Sequence, residues 1–94
     1  DMKAMSSMPD GVVGTLRRFG RRAKHVHANE PCGKGVGMPL TAEDGAPVDL
    51  AGALRVLKEI NYTGWISVEP FDYNPDPDTV ARAELDALKA TMPK

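Results

Sequence analysis

The stretch Trp65-Ile66-Ser67-Val68-Glu69 is rich in residues that favour strands and ends on an acidic side chain. Both of its faces carry apolar residues, which is typical of a buried strand in a parallel sheet. Side-chain alternation places Trp65, Ser67 and Glu69 on one face and the other two residues on the opposite face. We therefore expect Glu69 at the C-terminal end of a strand, and Trp65 at its start, filling the floor of a barrel.

Helical periodicity flanks this strand on both sides. Apolar stripes predict helices over 10–19 and 49–60, the second capped by Asp49, and a last helix over 78–90. A further strand is predicted over 23–29. The buried stripe of the last helix is expected to consist of Ala81, Leu85, Leu88 and Met92.

Strands that alternate with helices indicate an α/β fold with a parallel sheet. Two parallel strands alone leave both sheet edges unpaired, and a parallel sheet needs both of its faces covered. A whole eight-stranded α/β barrel needs ~250 residues. We therefore expect residues 1–94 to form one domain, the last portion of an incomplete barrel with two parallel strands and three helices. Further chain or another copy would supply the rest.

Charge and composition argue against two classes of partner. The formal net charge is -1, from 12 basic and 13 acidic residues, so the basic excess of nucleic-acid-binding proteins is absent. No apolar run reaches the roughly 20 residues of a membrane helix. The single Cys32 cannot form an intrachain disulfide, which fits a reducing cytoplasm.

A local basic cluster reads either as a solvated helix end or as a phosphate-binding patch, and the first reading is the more usual. It consists of Arg17, Arg18, Arg21, Arg22 and Lys24.

Two side chains could carry chemistry at one end of the predicted sheet. His27 and Glu69 both lie near the C-terminal ends of their strands, where α/β barrels have their active sites. An imidazole and a carboxylate can bind Mn²⁺, Mg²⁺ or Zn²⁺, and a carboxylate there can move a proton next to a carbonyl. The alternatives are a structural His25/His27 pair in a half-buried strand and a Glu69 that ends its strand in solvent.

A loop rich in glycine and proline is predicted over 30–48, and loops of this length are usually functional or disordered. Its Gly33–Gly37 stretch lacks the Walker pattern, so a flexible lid or linker is favoured. In the alternative reading, Lys34 reaches a substrate phosphate. Cys32 has no evident base partner and is taken as incidental.

The strings HVHANE over 25–30, LKEINYTGW over 57–65 and ISVEPF over 66–71 resemble the end of the sugar phosphate isomerase/epimerase family. Members of that family are xylose isomerase-like TIM barrels. The resemblance covers nearly the whole chain and implies one metal ion held by Glu, Asp, His and Glu from four strands. It places the His at His27, the closing Glu at Glu69, and the Asp at Asp1, while the first Glu would lie upstream.

The resemblance also implies a function. Glu69 would move a proton at the substrate carbon through an enediolate, and Phe71 would line a sugar pocket, with His25 and Lys34 also expected to contact substrate. The expected parent is a divalent-metal-dependent sugar or sugar phosphate isomerase/epimerase, of which this chain is a fragment that is inactive alone. Ala4 and Gly33 depart from the His and Arg that ketose 3-epimerases carry, which argues against that specificity.

Two other functions compete with this one. The first is a self-associating structural module, a homo-oligomer formed through exposed sheet edges. The second is a relative of DNA abasic-site endonucleases, which share the barrel but need several zinc ions, more histidines than the two here, and a basic face.

Overall fold

The computed structural model describes residues 1–93, which form four α-helices and a two-stranded sheet. In chain order these are α1 (Met2–Ser6), α2 (Gly11–Phe19), β1 (His25–Ala28), α3 (Leu50–Glu59), β2 (Trp65–Val68) and α4 (Pro77–Thr91). Short 3₁₀ turns lie at Gly20–Arg22 and Ala42–Asp44. The predicted α/β class is confirmed. None of the helices in the described part of the chain is long and apolar enough to cross a bilayer.

The helix α1 was not predicted, so the expected number of three helices is wrong. It has only five residues, too few for a hydrophobic period to stand out. Asp1 caps it, accepting a hydrogen bond from the Ala4 N–H at 2.8 Å, and Met2 is fully buried. The cap and the buried side chain offset the unfavourable nucleation of so short a helix.

Both ends of α3 were predicted correctly, because local side chains determine them. Asp49 accepts a hydrogen bond from the Gly52 N–H at 2.9 Å. At the other end Asn61 adopts a left-handed conformation with φ 57°, and the Tyr62 N–H donates to the Leu57 carbonyl at 2.9 Å. This is the Schellman arrangement that ends helices and redirects the chain.

The two strands are parallel and in the register that pairs His25 with Trp65 and His27 with Ser67. Val26 and Ala28 of β1 are buried against the helices in one apolar core. The core consists of Met2, Val12, Leu16, Val26, Ala28, Val36, Ala53, Leu54, Val56 and Leu57. One sheet face is therefore covered by helices, and the sheet is not closed into a barrel.

The opposite sheet face is open, and this corrects the expectation that β2 is buried on both sides. Trp65, expected to fill a barrel floor, is 78% exposed. The described residues supply two strands, and His25, which pairs with Trp65 in the sheet, is exposed as well. A strand with apolar residues on both faces is suited to a closed barrel, where both faces are buried. In this structure helices cover only one of the two faces.

The buried face of α4 lies about one residue away from the predicted stripe, of which Leu88 packs against the core as expected while Ala81 is exposed. Val80 and Glu84 are buried, while Leu85 and Met92 are 51% and 52% exposed. The covering layer is the glycine-rich loop: a Cβ on Gly35 would lie 2.9 Å from Glu84 Cγ. The backbone of this loop therefore approaches α4 more closely than a side chain would permit.

Candidate metal centre

Three side chains that the sequence singled out converge at the C-terminal ends of β1 and β2. His27 Nδ1 lies 2.8 Å from Glu69 Oε2. One carboxylate oxygen of Asp1 joins them, so that one potential ligand atom from each residue lies within 4.8 Å of the others. The structure thus brings together the three residues that the resemblance named as ligands.

The parallel register explains why His27 and Glu69 meet. His27 is the third residue of β1 and pairs with Ser67, while Glu69 follows directly after β2. The Glu69 N–H donates to the Ala28 carbonyl at 3.4 Å, which continues the ladder by one residue. The side chains of His27 and Glu69 are 36% and 37% exposed, so an ion or a substrate can reach both.

Asp1 reaches this centre because its carboxylate is held from two directions. Ala4 N–H donates to one oxygen at 2.8 Å, and Asn29 Nδ2 donates to the other at 3.2 Å. Asn29 is fully buried, and its Oδ1 accepts from the Lys3 N–H at 2.7 Å. The Asn29 side chain therefore connects the start of the chain to the end of β1.

Sequence reasoning assigned no role to Asn29 or to its neighbour Glu30. Both are polar, directly follow a strand, and are buried, a combination that requires hydrogen-bond partners. Glu30 Oε1 accepts from the Val48 N–H at 2.6 Å, which joins the two ends of the long loop. Burial raises the pKa of the Glu30 carboxyl, and the bond from Val48 opposes that shift. The feature of the sequence that could have indicated these roles is the pair of consecutive polar residues directly after HVHA.

His25 lies on the same sheet face as His27 but nearer the start of the strands. Its Nε2 is 2.5 Å from Ser67 Oγ, and its ring stands edge-on to that of His27 with centroids 4.9 Å apart. His25 does not belong to the three-residue cluster. Its expected contact with substrate stays a prediction.

Lys34 lies outside the cluster and already has a partner. Its Nζ donates to Asp44 Oδ2 at 2.6 Å, and this bond raises the pKa of Lys34 and lowers the pKa of Asp44. Asp44 also accepts from the backbone N–H of Thr41 at 2.7 Å. A phosphate bound by Lys34 would have to compete with a carboxylate that is fixed by its own turn.

Phe71 occupies the loop that follows Glu69. Its ring is exposed, while its backbone N–H donates to the Gly33 carbonyl at 2.7 Å. The two loops at this end of the sheet are thereby joined. The expected contact between Phe71 and a sugar stays a prediction.

The chemistry of the three donors fits a divalent cation. One imidazole and two carboxylates are ligands that Mn²⁺, Mg²⁺ and Zn²⁺ accept in proteins. The hydrogen bonds from Ala4 and Asn29 orient the Asp1 carboxylate. In metal sites, residues that hydrogen-bond to the ligands orient them in the same way.

Two parallel strands, each followed by a helix, fit part of an α/β barrel, a fold in which active sites lie at the C-terminal ends of the strands. The sequence model of the family described as "Xylose isomerase-like TIM barrel" matches residues 3–91. The chain therefore belongs to the xylose isomerase-like TIM barrel family, as the sequence predicted. No curated protein and no solved structure matches the chain.

Proposed function

We propose that these residues form the part of a sugar or sugar phosphate isomerase/epimerase barrel that supplies three ligands to a divalent cation. The observation that carries the proposal is the convergence of Asp1, His27 and Glu69 at one end of the sheet. Membership of the xylose isomerase-like family supports the same reaction class. The expected substrate is a small sugar or keto-sugar.

The three residues would divide the work. Asp1 and His27 would hold the cation, which when bound would polarise the substrate carbonyl. Glu69 has two carboxylate oxygens, so it can share one with the cation and use the other to take a proton from the neighbouring carbon. Loss of that proton would convert the substrate to an enediolate. Return of the proton to the adjacent carbon would give the isomer, and protonation of the original carbon from the opposite face would give the epimer.

The same proposal limits what the 94 residues do alone. Proton transfer to the opposite face of the substrate needs a second carboxylate, which the resemblance assigns to another barrel strand. Apart from Asp1 and Glu69, no acidic side chain of the described residues belongs to the cluster. We therefore expect these residues to bind the cation but to be inactive in turnover without the rest of the barrel.

Calorimetric titration of the chain with Mn²⁺ tests the site. We expect one equivalent to bind, and His27→Gln and Glu69→Gln each to weaken binding by about tenfold or more. His25→Gln is the matched control for the imidazole, and Glu43→Gln, an exposed position in the 3₁₀ turn Ala42–Asp44, for the carboxylate. Unchanged affinity in the His27 and Glu69 variants would remove the proposal.

A second candidate function is self-association without catalysis. The observation in its favour is the open sheet: β1 and β2 pair only with each other among the described residues, and Trp65 stands exposed on the uncovered face. Such edges recruit further strands. Sedimentation equilibrium tests it, because a chain that stays monomeric at high concentration contradicts it.

A further inference from the structure

The basic cluster of the sequence is divided by the structure into two groups. Arg17 Nη2 lies 3.5 Å from Glu59 Oε2, and Arg18 Nη1 lies 3.4 Å from Asp10 Oδ2. The remaining three side chains form no ion pair or hydrogen bond with another residue in the range 1–93 and line one hollow of about 640 Å³. These three are Arg21, Arg22 and Lys24.

This hollow lies between two helix-to-strand connections, 20–24 and 60–64. Both connections lead into the starts of the strands, so the hollow is at the opposite end of the sheet from the candidate metal centre. Its lining contains no acidic residue, and Asn61 and Thr63 add neutral hydrogen-bonding side chains. A volume of this size is within the range of small-molecule sites.

The two connections are fixed against each other. A Cβ on Gly64 would collide with the Lys24 carbonyl oxygen, so only glycine permits this approach. The Tyr62 hydroxyl donates to the Trp65 carbonyl at 2.8 Å, which holds the second connection in place. The backbone of both walls is therefore set before any ligand arrives, and only the exposed side chains of Arg21, Arg22 and Lys24 have to be ordered on binding.

The positive charge of the side chains in the hollow exceeds the negative partial charge of the helix C-termini beside it. Both α2 and α3 end at this side, and each helix C-terminus carries roughly half a negative charge. The two ends together amount to about one negative charge, against the three positive charges of Arg21, Arg22 and Lys24. About one of the three positive side chains is therefore balanced by the helix dipoles, and about two positive charges remain without a counter-charge.

We infer that this hollow binds a small multivalent phosphate anion, such as a phosphate ester or a short polyphosphate. Two guanidinium groups can each present a planar pair of donors to phosphate oxygens, and Lys24 adds a point charge. The site does not depend on the proposed isomerase function, because it uses none of the residues of the metal centre.

Calorimetric titration of the chain with inorganic tripolyphosphate in metal-free buffer tests the inference. We expect saturable binding, weakened about tenfold or more in the double variant Arg21→Gln/Arg22→Gln, because two charge-assisted contacts are lost. The matched control Arg17→Gln/Arg18→Gln removes the same charge from the same region but leaves the hollow intact. It should change the affinity less than about twofold, since exposed paired charges act only through screened fields.

Three results would overturn the inference. The first is no saturable binding with tripolyphosphate raised to about 10 mM. The second is an equal loss in both double variants, which indicates general charge attraction. The third is preference for a short single-stranded oligonucleotide over tripolyphosphate. The single variant Lys24→Gln, with folding verified by circular dichroism, provides an independent repeat and should weaken tripolyphosphate binding severalfold.

Discussion

Asn29 donates a hydrogen bond from Nδ2 to the Asp1 carboxylate at 3.2 Å while its own Oδ1 accepts from the Lys3 N–H at 2.7 Å. One fully buried amide thus fixes both the side chain of Asp1 and the first turn of α1 to the end of β1. The convergence of Asp1 with His27 and Glu69 depends on this connection, because no strand of the sheet carries Asp1.

Replacing Asn29 by alanine should therefore affect stability and cation binding together. The substitution removes a fully buried amide with its two hydrogen bonds, which costs about 1–3 kcal/mol, and Asp1 would lose one of its two restraints. We expect urea unfolding to show that loss and Mn²⁺ titration to show weaker binding. Asn74→Ala, at an exposed loop position, should leave both measurements unchanged. Full Mn²⁺ affinity in Asn29→Ala would show that Asp1 needs no such positioning.

The buried carboxyl of Glu84 should make the stability of the fold decrease as the pH rises. It is 1% exposed, its Oε2 has no hydrogen-bond partner within the described residues, and burial raises the pKa of its carboxyl from 4.5 to about 7. Between those values the folded chain holds a proton that the unfolded chain releases. This contribution to the free energy of unfolding is therefore fully present below pH 4.5, falls as pH rises, and is lost above about pH 7.

Urea unfolding across that range measures the effect. We expect stability to fall by about 3 kcal/mol between the two limits. Glu84→Gln, which cannot ionise, should remove most of this slope and be more stable than the original chain at alkaline pH. The exposed Glu43→Gln serves as control and should keep the slope. Parallel pH curves for the original chain and Glu84→Gln would mean that Glu84 does not cause the dependence.

The contact between the glycine-rich loop and α4 gives a separate prediction. A Cβ on Gly35 would lie 2.9 Å from both Glu84 Cγ and Val80 Cγ1, so Gly35→Ala should destabilise the fold by about 1–3 kcal/mol through overpacking. In the background of Glu84→Ala part of this crowding is removed, and the same substitution should cost less. A double-mutant cycle by urea unfolding measures the difference. Strict additivity would show that the two positions are not in contact.

How much of this could be predicted from sequence depends on the range of the interactions involved. The ends of α3 follow from Asp49 and the Asn61 turn, and alternation along two parallel strands places His27 beside Glu69. These features need only local chemistry and the strand period.

The features that were missed depend on contacts between distant segments. Which face of α4 is buried depends on the close approach of Gly35, a contact between distant segments. Hydrophobicity alone predicted that Leu85 would be buried rather than Glu84, whereas the structure shows the reverse. The hydrogen bonds of Asn29 join residues 26 and 28 positions apart. No periodic pattern in a single sequence reports such pairs, and Trp65 is exposed for the same reason, because its burial needs a layer that these residues do not supply.

The proposed need for a second carboxylate gives a prediction about the activity of the 94 residues alone. In deuterated water with Mn²⁺ and a panel of ketoses and ketose phosphates, the 94-residue chain should form epimers no faster than buffer containing Mn²⁺. In the proposed mechanism Glu69 would remove and return a proton on one face of the substrate, and protonation of the other face needs a second carboxylate. Exchange with deuterium on the first face, which one base can catalyse, is not turnover, and nuclear magnetic resonance distinguishes it from inversion. Rapid epimerisation that disappears in Glu69→Gln would contradict the need for the second carboxylate while supporting the role of Glu69.

Trp65 reports on whether the open sheet face is covered by another copy. It is the single tryptophan of the sequence and is 78% exposed, so dilute chain should emit with the red-shifted maximum of a solvated indole. If copies associate through this face, raising the concentration should shift the emission to the blue and raise the sedimentation mass together. Trp65→Thr should then weaken association by removing a large apolar contact, while leaving Mn²⁺ affinity unchanged because Trp65 lies at the other end of β2 from Glu69. An emission maximum that stays red-shifted while the mass doubles would place the contact between copies elsewhere on the molecule.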